Sequence, residues 1–177
     1  MRIIVISDPK NSSRGRIHWQ TRSTTCALGR SGIVALDAKR EGDGAAPAGE
    51  FLLRRVLWRP DRGPKPLTRL PCEEIHASDG WCDDPARPEY NRPVQLPFDG
   101  SAEHLWRDDN LYNLVVVIGH NDDPPRPGMG SAIFLHVAAK DFAPTQGCVA
   151  IDEASLRVLL TDVSPGDTLT IEPAALR

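Results

Sequence analysis

The sequence predicts a mainly β fold with one clear helix. Short β-branched runs bounded by turn residues recur along the chain, and the most regular are residues 113–119 and 131–137. Apolar residues keep helical spacing only in residues 152–163, where Asp152 stands at the position of an N-cap. The chain has 177 residues, which is the length of one domain. We therefore expect a single domain over residues 1–177, built as a β-sheet or β-sandwich.

The same signals place the remaining elements. We expect further strands at residues 2–7, 16–28, 32–36, 51–58 and 167–172, of which 16–28 is one strand or one arm of a hairpin. Glycine and proline predict a turn at 8–15, a shaped loop at 39–51 and a proline-rich loop at 121–130. Residues 60–97 are expected to form an irregular surface loop pinned by its aromatic side chains. A short helix is predicted at 102–109.

Charge and hydropathy exclude several classes of protein. Lys and Arg number 21 against 24 Asp and Glu, and the resulting charge of −3 excludes a strongly basic nucleic-acid binder. No run of eighteen apolar residues exists, so no membrane span is predicted. The apolar stretch at residues 3–6 is too short for a secretory leader. We therefore expect a cytoplasmic protein, or a periplasmic one if a leader has been removed.

The cysteines do not suggest a metal site. Cys26, Cys72, Cys82 and Cys148 form no Cys-x-x-Cys pair, and a reducing compartment fits them better than two disulfides. Cys72, His76 and Cys82 form a weak zinc-like trio without a fourth ligand or paired spacing. We therefore predict no metal and no cofactor.

The residues that suggest chemistry are Cys148 and His136. Cys148 belongs to Thr-Gln-Gly-Cys-Val at 145–149, and His136 lies in a predicted strand twelve positions earlier. Only a thiolate attacks, and His136 together with the nearby helix N-terminus would favour it. A Cys148 activated in this way should react with iodoacetamide at unusually low pH, whereas equal labelling of all four cysteines would indicate an inert thiol. The N–H groups of Gly147 and Cys148 are candidate oxyanion donors. From the residues alone, a buried inert thiol and a structural histidine remain the alternative.

These residues resemble the L,D-transpeptidase catalytic domain, also called the YkuD domain. Its members carry a strand that ends in His, followed by a Ser/Thr-His-Gly-Cys element. Residues 42–51 resemble the family's Thr-Pro-x-Gly-x-Phe hairpin, with Ala46 in place of Thr. Gln146 replaces the second His, Ala150 replaces the Arg or Asn that often follows Cys, and the interval from His136 to Cys148 is short. The resemblance implies a YkuD-like β-sandwich with its clear helix after the catalytic Cys.

The resemblance also implies a reaction. Cys148 would attack the carbonyl between the diamino acid and the terminal D-alanine of a peptidoglycan tetrapeptide and form a thioester, with His136 as base. Water as acceptor makes an L,D-carboxypeptidase of muropeptide recycling, which the expected cytoplasmic location favours. An amine as acceptor makes an L,D-transpeptidase that crosslinks stems or exchanges D-amino acids. A non-catalytic module that binds wall peptides is a further alternative, favoured by Gln146 and Ala150. The group that orients His136 is left open between a backbone carbonyl and a side chain.

The implied substrate carries a free carboxylate and needs a cationic partner. We expect the partner to be a peptidoglycan-derived peptide, free or sugar-linked, bound by a monomer. The candidate substrate-binding residues lie in irregular segments or beside a strand end, and they are Arg40, Arg92, His120, Trp81 and Gln146, with Arg126 as a further loop arginine.

Overall fold

The structure is a computed structural model and describes residues 1–174. Strands dominate the fold, and in chain order they are β1 (Arg2–Asp8), β2 (Asn11–Trp19), β3 (Arg22–Ala27), β4 (Ile33–Val34), β5 (Ala46–Pro47), β6 (Gly49–Trp58), β7 (Cys72–Glu74), β8 (Asp79–Cys82), β9 (Pro93–Gln95), β10 (Ala102–His104), β11 (Leu114–Ile118), β12 (Phe134–Val137), β13 (Val149–Ile151) and β14 (Thr168–Glu172). Helix α1 (Glu153–Asp162) lies between β13 and β14, and one 3-10 turn covers Lys140–Phe142.

Eight of the strands close into a ring. Their order is β11-β12-β13-β3-β2-β1-β14-β6, and β6 pairs back with β11. The long strand β6 permits this closure because residues 49–52 pair with β14, whereas 53–58 pair with β11. The shortest strand pairing in the ring is between β13 and β3, where Ala150 lies opposite Ala27. The predicted mainly β fold with a late helix, consistent with a YkuD-like β fold, is confirmed.

Alternating side chains divide the apolar residues between two clusters. On β11, Leu114, Val116 and Ile118 join the larger core, whereas Val115 and Val117 join a second cluster on the other face of the strand. Helix α1 packs Leu156, Leu159 and Leu160 into the larger core. The second cluster lies between β11–β12 and side chains from residues 75–112. The long middle segment of the chain therefore covers the outer face of these two strands.

Several predicted boundaries are wrong. The predicted turn at 8–15 shrinks to Pro9-Lys10, and residues 16–28 belong to a hairpin of β2 and β3. Residues 39–51 include β5 and the start of β6, and residues 60–97 contain three short strands rather than irregular chain alone. The sequence analysis did not predict β13. These strands are short, and partners far along the chain stabilise them.

The predicted helix at 102–109 is also wrong. Residues 102–104 form β10 and pair antiparallel with Gly80–Cys82 of β8. Leu105 is buried in the second apolar cluster. Cross-strand pairing and burial override the helical spacing of a short segment.

The predicted strand at 131–137 begins only at Phe134. Ala132 has a φ of +50°, which interrupts the extended backbone. No helix within residues 1–174 is long and apolar enough to cross a membrane.

Candidate active site

A cavity of about 530 Å³ lies beside the outer face of β12. Cys148 and His136 both line it, so the structure brings the two predicted catalytic residues to one site. Thr145 and Gln146 line the same cavity. Strand β12 carries His136, and the loop that follows the 3-10 turn delivers Cys148 to the neighbouring strand β13.

The Cys148 thiol is buried and hydrogen-bonded to the backbone. Its Sγ accepts from the Phe134 N–H at 3.3 Å and donates to the Ala132 carbonyl at 3.3 Å. Burial raises the pKa of the thiol to about 12, and the charge of Glu103 acts in the same direction. Cys148 is therefore a protonated thiol in the free protein at neutral pH.

This protonation state contradicts the expected reactivity of Cys148 at low pH. The expected helix N-terminus does not adjoin the thiol, because β13 intervenes and α1 begins only at Glu153. Loss of water from the thiol outweighs the lowering effects of the Phe134 N–H and of Lys39.

His136 is buried as a neutral imidazole. Burial lowers its pKa to about 4, although hydrogen bonding to the Val137 carbonyl acts in the opposite direction. Its Nδ1 lies 2.8 Å from that carbonyl oxygen. A carbonyl only accepts, so Nδ1 carries the proton and Nε2 has the free lone pair of a base. Among the two alternatives left open by the sequence, the structure shows a backbone carbonyl as the orienting group.

The loop before Cys148 is held by a threonine hydroxyl. Thr145 Oγ1 donates to the Cys148 carbonyl at 2.7 Å and accepts from the Gly147 N–H at 3.1 Å. Gly147 has a φ of +135°, and a Cβ there would lie 2.9 Å from the Ala45 carbonyl oxygen. Of the two predicted oxyanion donors, the Gly147 N–H is therefore occupied in the free protein. Gln146 accepts a hydrogen bond from Arg30.

Tyr112 and Glu103 complete one wall of the cavity. The Tyr112 ring contacts His136 edge-to-face at 5.2 Å between centroids, and its hydroxyl donates to Glu103. Burial raises the pKa of Glu103, while the Tyr112 hydroxyl and the charge of Arg107 act against that rise. Sequence reasoning missed these residues because they reach the site from segments without a recognisable motif.

Lys39 and Glu41 form a second charged wall. The Lys39 ammonium, only 2% exposed, donates to Asp43 at 2.6 Å and to the Arg40 carbonyl at 2.9 Å. Glu41 accepts from the hydroxyls of Tyr90 and Ser131. The cavity that contains Cys148 is therefore lined by groups of both charge signs.

The other predicted substrate-binding residues lie elsewhere. Gln146 lines the Cys148 cavity, but Arg40, Arg92, His120 and Trp81 do not. Arg92, His120 and Trp81 line a separate cavity together. Arg40 turns back onto the chain, where its guanidinium donates to the carbonyls of residues 37 and 39. The roles of these residues stay predictions.

Metal-binding groups do not gather within residues 1–174. No three His, Cys, Asp or Glu side chains in this range are placed to bind one ion. The zinc-like trio at residues 72, 76 and 82 is therefore not such a group either. All four cysteines are free thiols.

A thiol and a histidine with a free Nε2 at one cavity are two of the groups that a cysteine-dependent acyl transfer uses. The sequence matches the family model YkuD, the L,D-transpeptidase catalytic domain, over residues 2–171. The chain belongs to this family.

The chain is also similar to a solved structure, that of the helical cell shape determining protein Pgp2 from Campylobacter jejuni. The two are 13% identical, with a TM-score of 0.44. The similarity covers 98% of this chain and 48% of the other, so this chain spans about half the length of that structure. No curated protein sequence matches the chain.

Proposed function

We propose that this YkuD domain is an L,D-carboxypeptidase that removes the terminal D-alanine from peptidoglycan-derived tetrapeptides. The observation that carries the proposal is that Cys148 and His136 line one cavity while the Val137 carbonyl leaves Nε2 of His136 free. A monomer in the cytoplasm, acting on soluble wall fragments, completes the proposal.

The first step forms a thioester. Nε2 of His136 takes the Sγ–H proton as sulfur attacks the carbonyl of the diamino acid, and the Cys148 N–H donates to the developing oxyanion. The C–N bond then breaks, and the departing amine of D-alanine takes the proton from His136. In the free protein both groups are uncharged, because burial raises the pKa of Cys148 to about 12 and lowers that of His136 to about 4. Proton transfer therefore accompanies attack rather than preceding it.

The second step releases the acyl group. His136 takes a proton from water as the oxygen of that water adds to the thioester carbonyl. The C–S bond then breaks, and His136 gives the proton to the departing sulfur. A tripeptide with a new carboxylate leaves. An amine in place of water would give exchange or a crosslink by the same sequence of proton transfers.

Mass spectrometry of a disaccharide tetrapeptide incubated with the protein tests the proposal. We expect loss of one alanine without adduct formation, including when a D-amino acid is supplied. Exchange or dimer formation would replace the carboxypeptidase proposal with a transpeptidase. Binding of the peptide without any turnover would favour the non-catalytic module.

Cys148→Ala tests the nucleophile. We expect at least a thousandfold loss of D-alanine release, because no sulfur remains to form the thioester. Cys72→Ala is the matched control, since Cys72 is a free thiol that does not line the cavity, and it should retain activity. Unchanged turnover in a folded Cys148→Ala variant would overturn the assignment.

A further inference from the structure

A second cavity, of about 380 Å³, adjoins the first. Ile133 lines both cavities, so both reach the chain that leads into β12. The second cavity is lined by Arg54, Arg55 and Arg92 and by the side chains of Trp81 and His120. It contains neither Cys148 nor His136.

The arginines give the second cavity a positive charge. Arg54 is paired with Asp122, the carboxylate that also lines this cavity, through contacts of 2.7 and 3.2 Å. Arg55 lies 3.7 Å from Glu73, and its Nε is buried without a hydrogen-bond partner among the described residues. Within residues 1–174, Arg92 makes no side-chain ion pair. Arg92 is thus available to an anion, and Arg55 could join it because its ion pair with Glu73 is long at 3.7 Å.

His120 adds a buried acceptor to this cavity. The side chain is 4% exposed, and Nε2 lies 3.1 Å from the Met129 carbonyl, which assigns the ring proton to Nε2. Nδ1 is buried and has no hydrogen-bond partner among the described residues. Burial lowers the pKa of His120 to about 4, so Nδ1 is a bare acceptor at neutral pH. A ligand N–H or O–H would satisfy it.

Asn91 fixes these groups and connects them to the first cavity. Its Oδ1 accepts from the Trp81 indole at 2.9 Å and from the Ala132 N–H at 3.0 Å. Its Nδ2 donates to the carbonyl of His120 at 3.0 Å. Because Ala132 also accepts from Cys148, one buried amide joins the second cavity to the backbone that contacts the thiol.

We propose that the second cavity binds the C-terminal end of a peptide. Arg55 and Arg92 bind the carboxylate, the Trp81 ring packs against the side chain, and Nδ1 of His120 accepts the last backbone N–H. A peptide C-terminus offers a carboxylate for the two arginines and an adjacent N–H for Nδ1 of His120. This site is separate from Cys148, and the proposal does not depend on turnover.

Binding of small probes to the complete protein tests this site. N-acetyl-D-alanine has the carboxylate and the N–H, whereas N-acetyl-D-alaninamide lacks the charge. We expect the acid to shift the NMR signals of the Trp81 indole and the His120 ring, with at least tenfold weaker binding of the amide. Equal binding of acid and amide would overturn the proposal. Acetate or inorganic phosphate binding as tightly as N-acetyl-D-alanine would show a general anion site and overturn the peptide assignment.

Arginine variants locate the binding groups. Arg92→Gln should weaken N-acetyl-D-alanine at least tenfold, and because Arg92 is exposed the variant should fold. Arg16→Gln is the matched control, since Arg16 is an exposed arginine outside this cavity, and it should bind normally. Arg55→Lys, which keeps a charge under Trp81, should bind better than Arg55→Gln. Wild-type binding by Arg92→Gln would overturn the proposal, whether or not the protein releases D-alanine.

Discussion

Thr145 shapes the site through two hydrogen bonds of its hydroxyl group. Its hydroxyl joins the Cys148 carbonyl and the Gly147 N–H, which would otherwise lose their partners in a partly buried loop. Each such hydrogen bond contributes about 1 kcal/mol, and an unsatisfied buried group costs more. The hydroxyl therefore sets the direction from which Cys148 faces the cavity.

Thr145→Val should keep the shape of the side chain and lose both hydrogen bonds. We expect about 2 kcal/mol less stability in urea unfolding and at least a tenfold lower kcat for D-alanine release. Thr145→Ser restores the hydroxyl and serves as the control, with most activity recovered. Full activity in Thr145→Val would show that the loop is held by its backbone alone.

The sequence predicted Cys148 and His136 because both stand in recognisable local patterns. It did not predict Tyr112, Glu103 or Lys39, because strand pairing and the packing of loops bring these residues to the cavity from distant positions. The sequence also predicted a thiolate at Cys148, whereas burial keeps this side chain protonated. The degree of burial depends on tertiary packing, which a local motif does not show.

Helix α1 is an element that its own residues are sufficient to predict. Asp152 accepts from the Ser155 N–H at 2.8 Å, and three leucines on one face enter the larger core. Both features are local, and the sequence predicted the helix correctly. The predicted helix at 102–109 failed because pairing with β8 stabilises β10, and β8 lies some twenty residues earlier in the chain.

Asp152→Ala should remove the cap of α1. We expect a loss of about 1 kcal/mol in the free energy of unfolding, measured by urea denaturation, because the Ser155 N–H loses its acceptor. Asp152→Asn keeps an acceptor oxygen and should lose much less. An equal loss in both variants would assign the effect to the charge of Asp152 instead.

At the scale of the whole molecule, two buried histidines make the fold sensitive to acid. Burial lowers the pKa of both His120 and His136 from 6.5 to about 4. Below pH 6.5 the unfolded chain takes up these protons while the folded protein does not, so stability falls as the pH falls towards 4. The lowered pKa of Asp43 removes further stability only at lower pH, below its ordinary value of 3.8.

Urea unfolding at several pH values measures this effect. Each histidine should account for roughly 3 kcal/mol of stability lost between pH 7 and pH 4. His120→Gln should flatten the pH dependence by about that amount, whereas His104→Gln should not, because His104 is exposed. A pH dependence that is the same in both variants would contradict the burial of His120 as an uncharged ring.

The short pairing between β13 and β3 also affects how a substrate could reach the buried thiol of Cys148. Neighbouring strands elsewhere in the ring are joined by several residue pairs, as β2 and β3 are, whereas β13 and β3 are joined through Ala150 and Ala27. Small local openings occur where few backbone contacts must break. Two further backbone hydrogen bonds, from the Thr145 N–H to the Leu28 carbonyl and from the Arg30 N–H to the Thr145 carbonyl, tie the loop before Cys148 to the chain that follows β3. A local opening that uncovers the sulfur must break these two bonds and the Ala150–Ala27 pairing, which is far less than global unfolding requires.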